Sequence, residues 1–190
     1  MKRVFFFIAI CFYIKNYSQN FKGYYVTNQL DTINCVFEIN EVLFDRNKFD
    51  PQTVRNNIRI NKENNQSLKF KPNDILSFFI ENANSKNYKF VSIPNHNYFY
   101  HEIIKGKLSY YKVYLNNSGG VLGSLASQSL YLFKDEKLTE INPLNLRKGL
   151  SKQIIDYPEL HEKWNNSNKY YRLDQFEEVI KLYNDYFDKK

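Results

Sequence analysis

The chain is short of most residues that build chemistry by themselves. Among 190 residues there are two Cys, three His, one Met and one Trp, with six Gly and five Pro. No Gly-x-Ser-x-Gly elbow occurs, so a hydrolase of that design is excluded. His101-Glu102-Ile103-Ile104-Lys105 approaches the zinc-protease pattern but has Lys105 where the second imidazole is required. His96 and His101 are the remaining pair to weigh for a metal, and two imidazoles without a placed third ligand do not specify one. Asn116 to Gln128 carries three Gly and two Ser–Leu or Ser–Gln steps but no Lys-Ser/Thr pair, so it reads as a loop and not as a phosphate cradle. The expectation is therefore no metal, no cofactor and no assigned catalytic residue.

Long apolar runs are also missing, except one. Met1-Lys2-Arg3 precedes eleven apolar residues, Val4 to Ile14, and then a polar stretch to Asn20. Two cations followed by a short apolar segment have the form of a secretory signal peptide, and eleven residues fall well short of the roughly 20 that span a bilayer. Residues 1–19 are read as this leader, with cleavage after Ser18 or Gln19 and no stable membrane span afterwards. Cys11 leaves with it. Cys35 is then alone, which rules out an intramolecular disulfide, and it reads as a buried apolar residue within Thr32-Ile33-Asn34-Cys35-Val36-Phe37.

Charge of one sign is not concentrated anywhere. The whole chain has 27 basic and 20 acidic residues, net +7, and loss of Lys2, Arg3 and Lys15 leaves 24 against 20, or +4. A small, scattered excess does not make the clustered basic surface that nucleic acid demands. With about 170 residues and no staples, the mature chain has to form one domain around an apolar core.

Aromatic residues are what is abundant: 16 Tyr and 16 Phe, with aromatics at 17%. They recur with strand periodicity. Phe21–Val26 and Thr32–Ile39 form a first hairpin, and Ile58–Ile60, Leu68–Lys71, Ile75–Ile80 and Tyr88–Ile93 read as further strands among Asn-rich loops. Tyr98–Ile104 and Leu108–Leu115 flank Lys105-Gly106-Lys107 as a tight hairpin. In the second of these strands Tyr110, Lys112 and Tyr114 share one face, while Tyr111, Val113 and Leu115 share the other. The first set, joined by Tyr98 and Tyr100, is expected to line the outer face of a half-buried sheet.

After Leu130–Phe133 the period changes. Pro143 suits a first helical turn, Leu146, Leu150 and Ile154 fall four apart, and Tyr157-Pro158 stops that helix before a short turn through Leu160 and Trp164. Asp174 with Glu177 has capping-box spacing, and Phe176, Ile180, Tyr183 and Phe187 form one stripe of a last helix. The fold class is α+β: an antiparallel sheet or small barrel-like β domain over residues 20–141, then two or three helices over 142–190.

Several short motifs carry a family resemblance. Gly23-Tyr24 with Asp31-Thr32-Ile33, Lys71-Pro72-Asn73-Asp74-Ile75, Ile103-Ile104-Lys105-Gly106-Lys107, Asp156-Tyr157-Pro158-Glu159-Leu160 and the leader end Ser18-Gln19 together resemble uncharacterised exported proteins of the Bacteroidota. That resemblance implies compartment and architecture and transfers no catalytic residue. The functional expectation is a periplasmic or surface-exposed binding module. It would use Tyr98, Tyr100, Tyr110, Lys112 and Tyr114 to engage a protein, peptide or glycan of the envelope, with no nucleic-acid partner. The alternative is a small envelope hydrolase with an acid such as Glu102 and an unrecognised partner, which a cleft holding two or more of Asp74, Glu102 and His101 would favour. A purely structural or adhesive role is a third.

Overall fold

The computed structural model describes residues 18–40, 49–61, 67–115, 127–166 and 173–189. Residues 1–17, most of the expected leader, and residues 116–126 lie outside them.

Ten strands form one continuous antiparallel sheet: β1 (Ser18–Val26), β2 (Thr32–Asn40), β3 (Ile58–Asn61), β4 (Ser67–Phe70), β5 (Ser77–Ala83), β6 (Lys86–Ser92), β7 (Phe99–Ile104), β8 (Ser109–Leu115), β9 (Ser127–Lys134) and β10 (Lys137–Ile141). Their order is β10-β9-β8-β7-β6-β5-β1-β2-β3-β4. Three helices follow: α1 (Leu146–Ser151), α2 (Pro158–Asn166) and α3 (Leu173–Asp188). The α+β expectation holds, with strands first and helices after.

The turns show why the chain reverses where it does. Asn84-Ser85 and Asp135-Glu136 take positive φ at both central positions, the left-handed pair that two-residue hairpin loops need. Gly23 matters for a different reason. A Cβ there would lie 1.9 Å from the Phe79 carbonyl oxygen, so only glycine lets β1 approach β5 this closely.

One row of directly opposed residues crosses seven strands on the inner face: Tyr25, Phe78, Phe90, His101, Lys112, Leu130 and Ile141. Its aromatic end belongs to a core where the sheet curls over itself, with Phe37, Phe49, Phe78, Phe90 and Phe99 all at 2% exposure or less. Phe78 stacks on Phe90 at 4.8 Å and meets Phe99 edge-on at 4.9 Å. Such pairs add about 0.5–1.5 kcal/mol each beyond the area they bury. The aliphatic end of the row belongs to a second core, where Leu130, Leu132 and Ile141 meet Leu150, Trp164, Phe176, Ile180 and Tyr183 from the helices and Ile154 from the α1–α2 connection. His101 and Lys112 sit between the two.

The α3 stripe packs as its spacing predicted, with Phe176, Ile180 and Tyr183 fully buried. The side chain of Asp174, on which the capping-box expectation rests, lies outside the described residues. α3 begins at Leu173, and Glu177 reaches across to Lys112. The turn foreseen through Leu160 and Trp164 is a nine-residue helix, α2. The helix expected to run to Tyr157-Pro158 ends at Ser151, so Pro158 does not stop it; Pro158 instead occupies the first turn of α2, where its missing N–H costs nothing.

Asp156 links the layers. Its carboxylate accepts hydrogen bonds from Lys134 Nζ at 2.8 Å and from Tyr183 Oη at 2.9 and 2.8 Å. Burial alone would raise this carboxyl, but the bonds from Lys134 and Tyr183 hold it below its usual value.

Candidate functional site

The five residues singled out on sequence do not form one platform. Tyr110, Lys112 and Tyr114 share a face, as their alternation required, but it is the inner one, where Tyr110 and Lys112 meet α3 and Tyr114 meets His101. Tyr110 is fully buried and meets Phe176 edge-on at 5.2 Å. Lys112 Nζ pairs with Glu177 at 3.0 Å. Tyr98 and Tyr100 lie on the opposite, outer face.

A β-bulge makes this division. Ile104 pairs with Tyr110, and a regular ladder from that rung would set Tyr100 opposite Tyr114. The register slips between Ile104 and Glu102, so His101 faces Lys112 and every residue before it changes side. The outer-face expectation for Tyr110, Lys112 and Tyr114 is thus corrected, and Tyr100 is separated from them by the sheet.

The outer face of β6–β10 still gathers aromatic side chains, partly different ones. Ile93, Tyr100, Tyr111 and Val113 are buried there, ringed by half-buried Val91, Tyr98, Leu115, Tyr131, Phe133 and Leu138. No residue of a described helix belongs to this cluster. Tyr100 meets Tyr131 at 5.3 Å and 89° and Tyr111 at 6.2 Å and 67°, and Tyr111 meets Phe133 at 6.4 Å and 60°. These edge-on contacts interlock the rings and fix their orientation. Tyr100 Oη is 3.1 Å from His96 Nδ1, and the Arg55 guanidinium lies 5.3 Å from the Tyr98 ring centre. At the margin Glu102 pairs with Lys89 at 2.8 Å. Tyr111 and Tyr131 were missed as partners because strand alternation alone does not say which face the helices take.

The inner seam is polar where its neighbours are not. His101 lies against Phe90, Tyr88 and Tyr114, with ring centres 5.1, 5.2 and 5.7 Å away. Its Nδ1 is 2.7 Å from Tyr114 Oη. Burial, with a smaller push from Lys112, brings the imidazole down to about 4, so it is neutral at pH 7. Burial likewise raises the phenols of Tyr110 and Tyr114. The Tyr110 hydroxyl is buried without any hydrogen-bond partner among the described residues.

The trio named for hydrolysis is dispersed. His101 faces inward, and Glu102, its neighbour on the strand, faces outward to Lys89. Asp74 accepts from the Lys71 backbone N–H at 2.7 Å within a turn. His96 and His101 are on opposite faces as well. A Ser–His contact absent from the sequence reading does occur: Ser151 Oγ lies 2.9 Å from His161 Nε2. The same nitrogen is 3.0 Å from Asn165 Nδ2, and Ser151 ends α1. Carbonyl groups at a helix C-terminus disfavour a developing oxyanion, so the contact serves to join α1 to α2.

Cys35 is half-buried and not fully buried as expected, and burial pushes its thiol up to about 12, which keeps it protonated at neutral pH. No described helix is long and apolar enough to cross a membrane. Comparison of the chain with protein-family models, curated proteins and solved structures found no match.

Proposed function

We propose that this is an exported, non-catalytic binding protein that docks a protein partner on the outer face of β6–β10. The observation carrying this reading is the aromatic cluster around Tyr100 and Tyr111, half-buried at its margin and not joined by any described helix residue. Tyr with aliphatic neighbours is the composition favoured at protein interfaces, and rings held in place lose little entropy on binding. A glycan platform is less well supported, since sugars stack on open ring faces and these rings pack edge-on. The leader-like segment supports export. β1 begins at Ser18, so cleavage after Gln19 would remove the first two rungs of β1, and cleavage before Ser18 would spare them.

A photo-crosslinking amino acid placed at Tyr131, and separately at Ile155 on the helical side, tests the docking face in the producing cell. Discrete adducts from position 131 and none from 155 support the proposal. Adducts from 155 alone, or from neither, overturn it. Intact mass of the recovered protein tests export in the same samples.

A further inference from the structure

β2 and β3 share only two rungs, Val36↔Asn61 and Phe37↔Ile60, although β2 runs on to Asn40 and β3 starts at Ile58. Beyond Phe37 the strands part. The wedge between them is a cleft of about 210 Å³ with Glu38, Asn57, Arg59 and Lys69 in its lining, along with buried Val54 and Ile58.

Its lining brings two cations together. Arg59 and Lys69 are directly opposite one another on β3 and β4. Like charges at opposed positions destabilise a strand pair. Among the described residues neither Arg59 nor Lys69 has a carboxylate within ion-pair distance. Glu38 makes no ion pair with either, so among the described residues the cleft holds two cations to one anion.

We propose that this cleft binds the free C-terminal carboxylate of an extended peptide. The carboxylate would sit between Arg59 and Lys69 and relieve their repulsion. A wedge walled by two strands suits an extended chain, and capture of a peptide terminus by convergent donors is an established mode of recognition. Glu38 opposes the incoming anion and sets a limit on affinity. The site is separate from the outer aromatic face and does not depend on docking there.

The test is calorimetric or NMR titration of the protein, as recovered from the producing cell, with acetyl-Ala-Ala bearing a free carboxylate, the same peptide as its amide, and acetate. The free acid is expected to bind with a Kd of about 0.1–1 mM. The amide and acetate should bind at least about tenfold more weakly, and affinity should fall with added salt. Arg59→Gln or Lys69→Gln should each weaken the free acid about tenfold, and Glu38→Gln should tighten it. These positions are exposed or half-exposed, and thermal melts confirm that each variant is folded. No binding of the free acid, equal binding of acid and amide, equal binding of acetate, or weakening by Glu38→Gln would each overturn the proposal.

Discussion

Asn184 of α3 holds Leu108 by both of its backbone groups: its Oδ1 accepts from the Leu108 N–H at 2.8 Å, and its Nδ2 donates to the Leu108 carbonyl at 3.0 Å. A side-chain amide here replaces a neighbouring strand, and it fixes the β7–β8 hairpin to the last helix. Asn184 is 5% exposed and Leu108 fully buried, so water cannot take over either bond. Gly106 belongs to the same arrangement, since a Cβ there would lie 2.4 Å from Asn184 Nδ2.

Asn184→Ala should therefore cost more than an average hydrogen bond. It strands a buried donor and a buried acceptor, each worth about 1–3 kcal/mol. Urea unfolding is expected to show a loss of about 2 kcal/mol or more. A loss below about 0.5 kcal/mol would mean the hairpin is held by packing alone.

Tyr110 should behave in the opposite way at its hydroxyl. Its Oη is buried without a partner among the described residues, so Tyr110→Phe removes an uncompensated polar atom. The expected result is unchanged or increased stability, by up to about 1 kcal/mol, whereas Tyr110→Ala should lose about 3–5 kcal/mol. A clear loss in the Phe variant would show that the hydroxyl has a partner in solution.

His101 gives the fold a measurable dependence on pH. The unfolded chain protonates this imidazole near 6.5, but the folded chain does so only near 4. Between these values the unfolded state binds more protons, so the stability contributed by neutral His101 is complete above 6.5 and is lost as pH falls towards 4. Lys112 and Tyr114 on β8, Tyr88 on β6 and Glu177 on α3 surround or adjoin it. Denaturation of the wild type from pH 7.5 to 4.5 should fall by about 1–3 kcal/mol more than that of His101→Gln. Parallel curves for the two would contradict a buried, neutral imidazole.

Gly23→Ala forces a methyl group onto the Phe79 carbonyl and should open the β1–β5 pairing. Loss of cooperative unfolding, or destabilisation above about 3 kcal/mol, is expected in circular dichroism melts. A melt like that of the wild type would mean the strands separate there without cost.

Much of this architecture was legible in the sequence, because alternation and four-residue spacing record which side chains share a face. Leu108–Leu115 and the stripe Phe176, Ile180, Tyr183 were read correctly on that basis. β10 was not, since Lys137-Leu138-Thr139-Glu140-Ile141 has only two apolar residues and lies at the sheet edge. The candidate site was the least legible part. A one-residue slip between Glu102 and Ile104 leaves no trace in composition, yet it sends Tyr100 to one face and Tyr110 to the other. Alternation showed that two Tyr-bearing faces exist. Only the placement of α3 decides which of them is the inner one.

The most direct test of the docking face is quantitative capture of the adduct partner identified at position 131, by the wild type and by a Tyr98→Ser/Tyr131→Ser double variant. Both side chains are half-exposed at the margin of the cluster, so the melting temperature should change little. A loss of capture of about tenfold or more, with folding intact, is what the proposed face predicts. Undiminished capture by the folded double variant would contradict it.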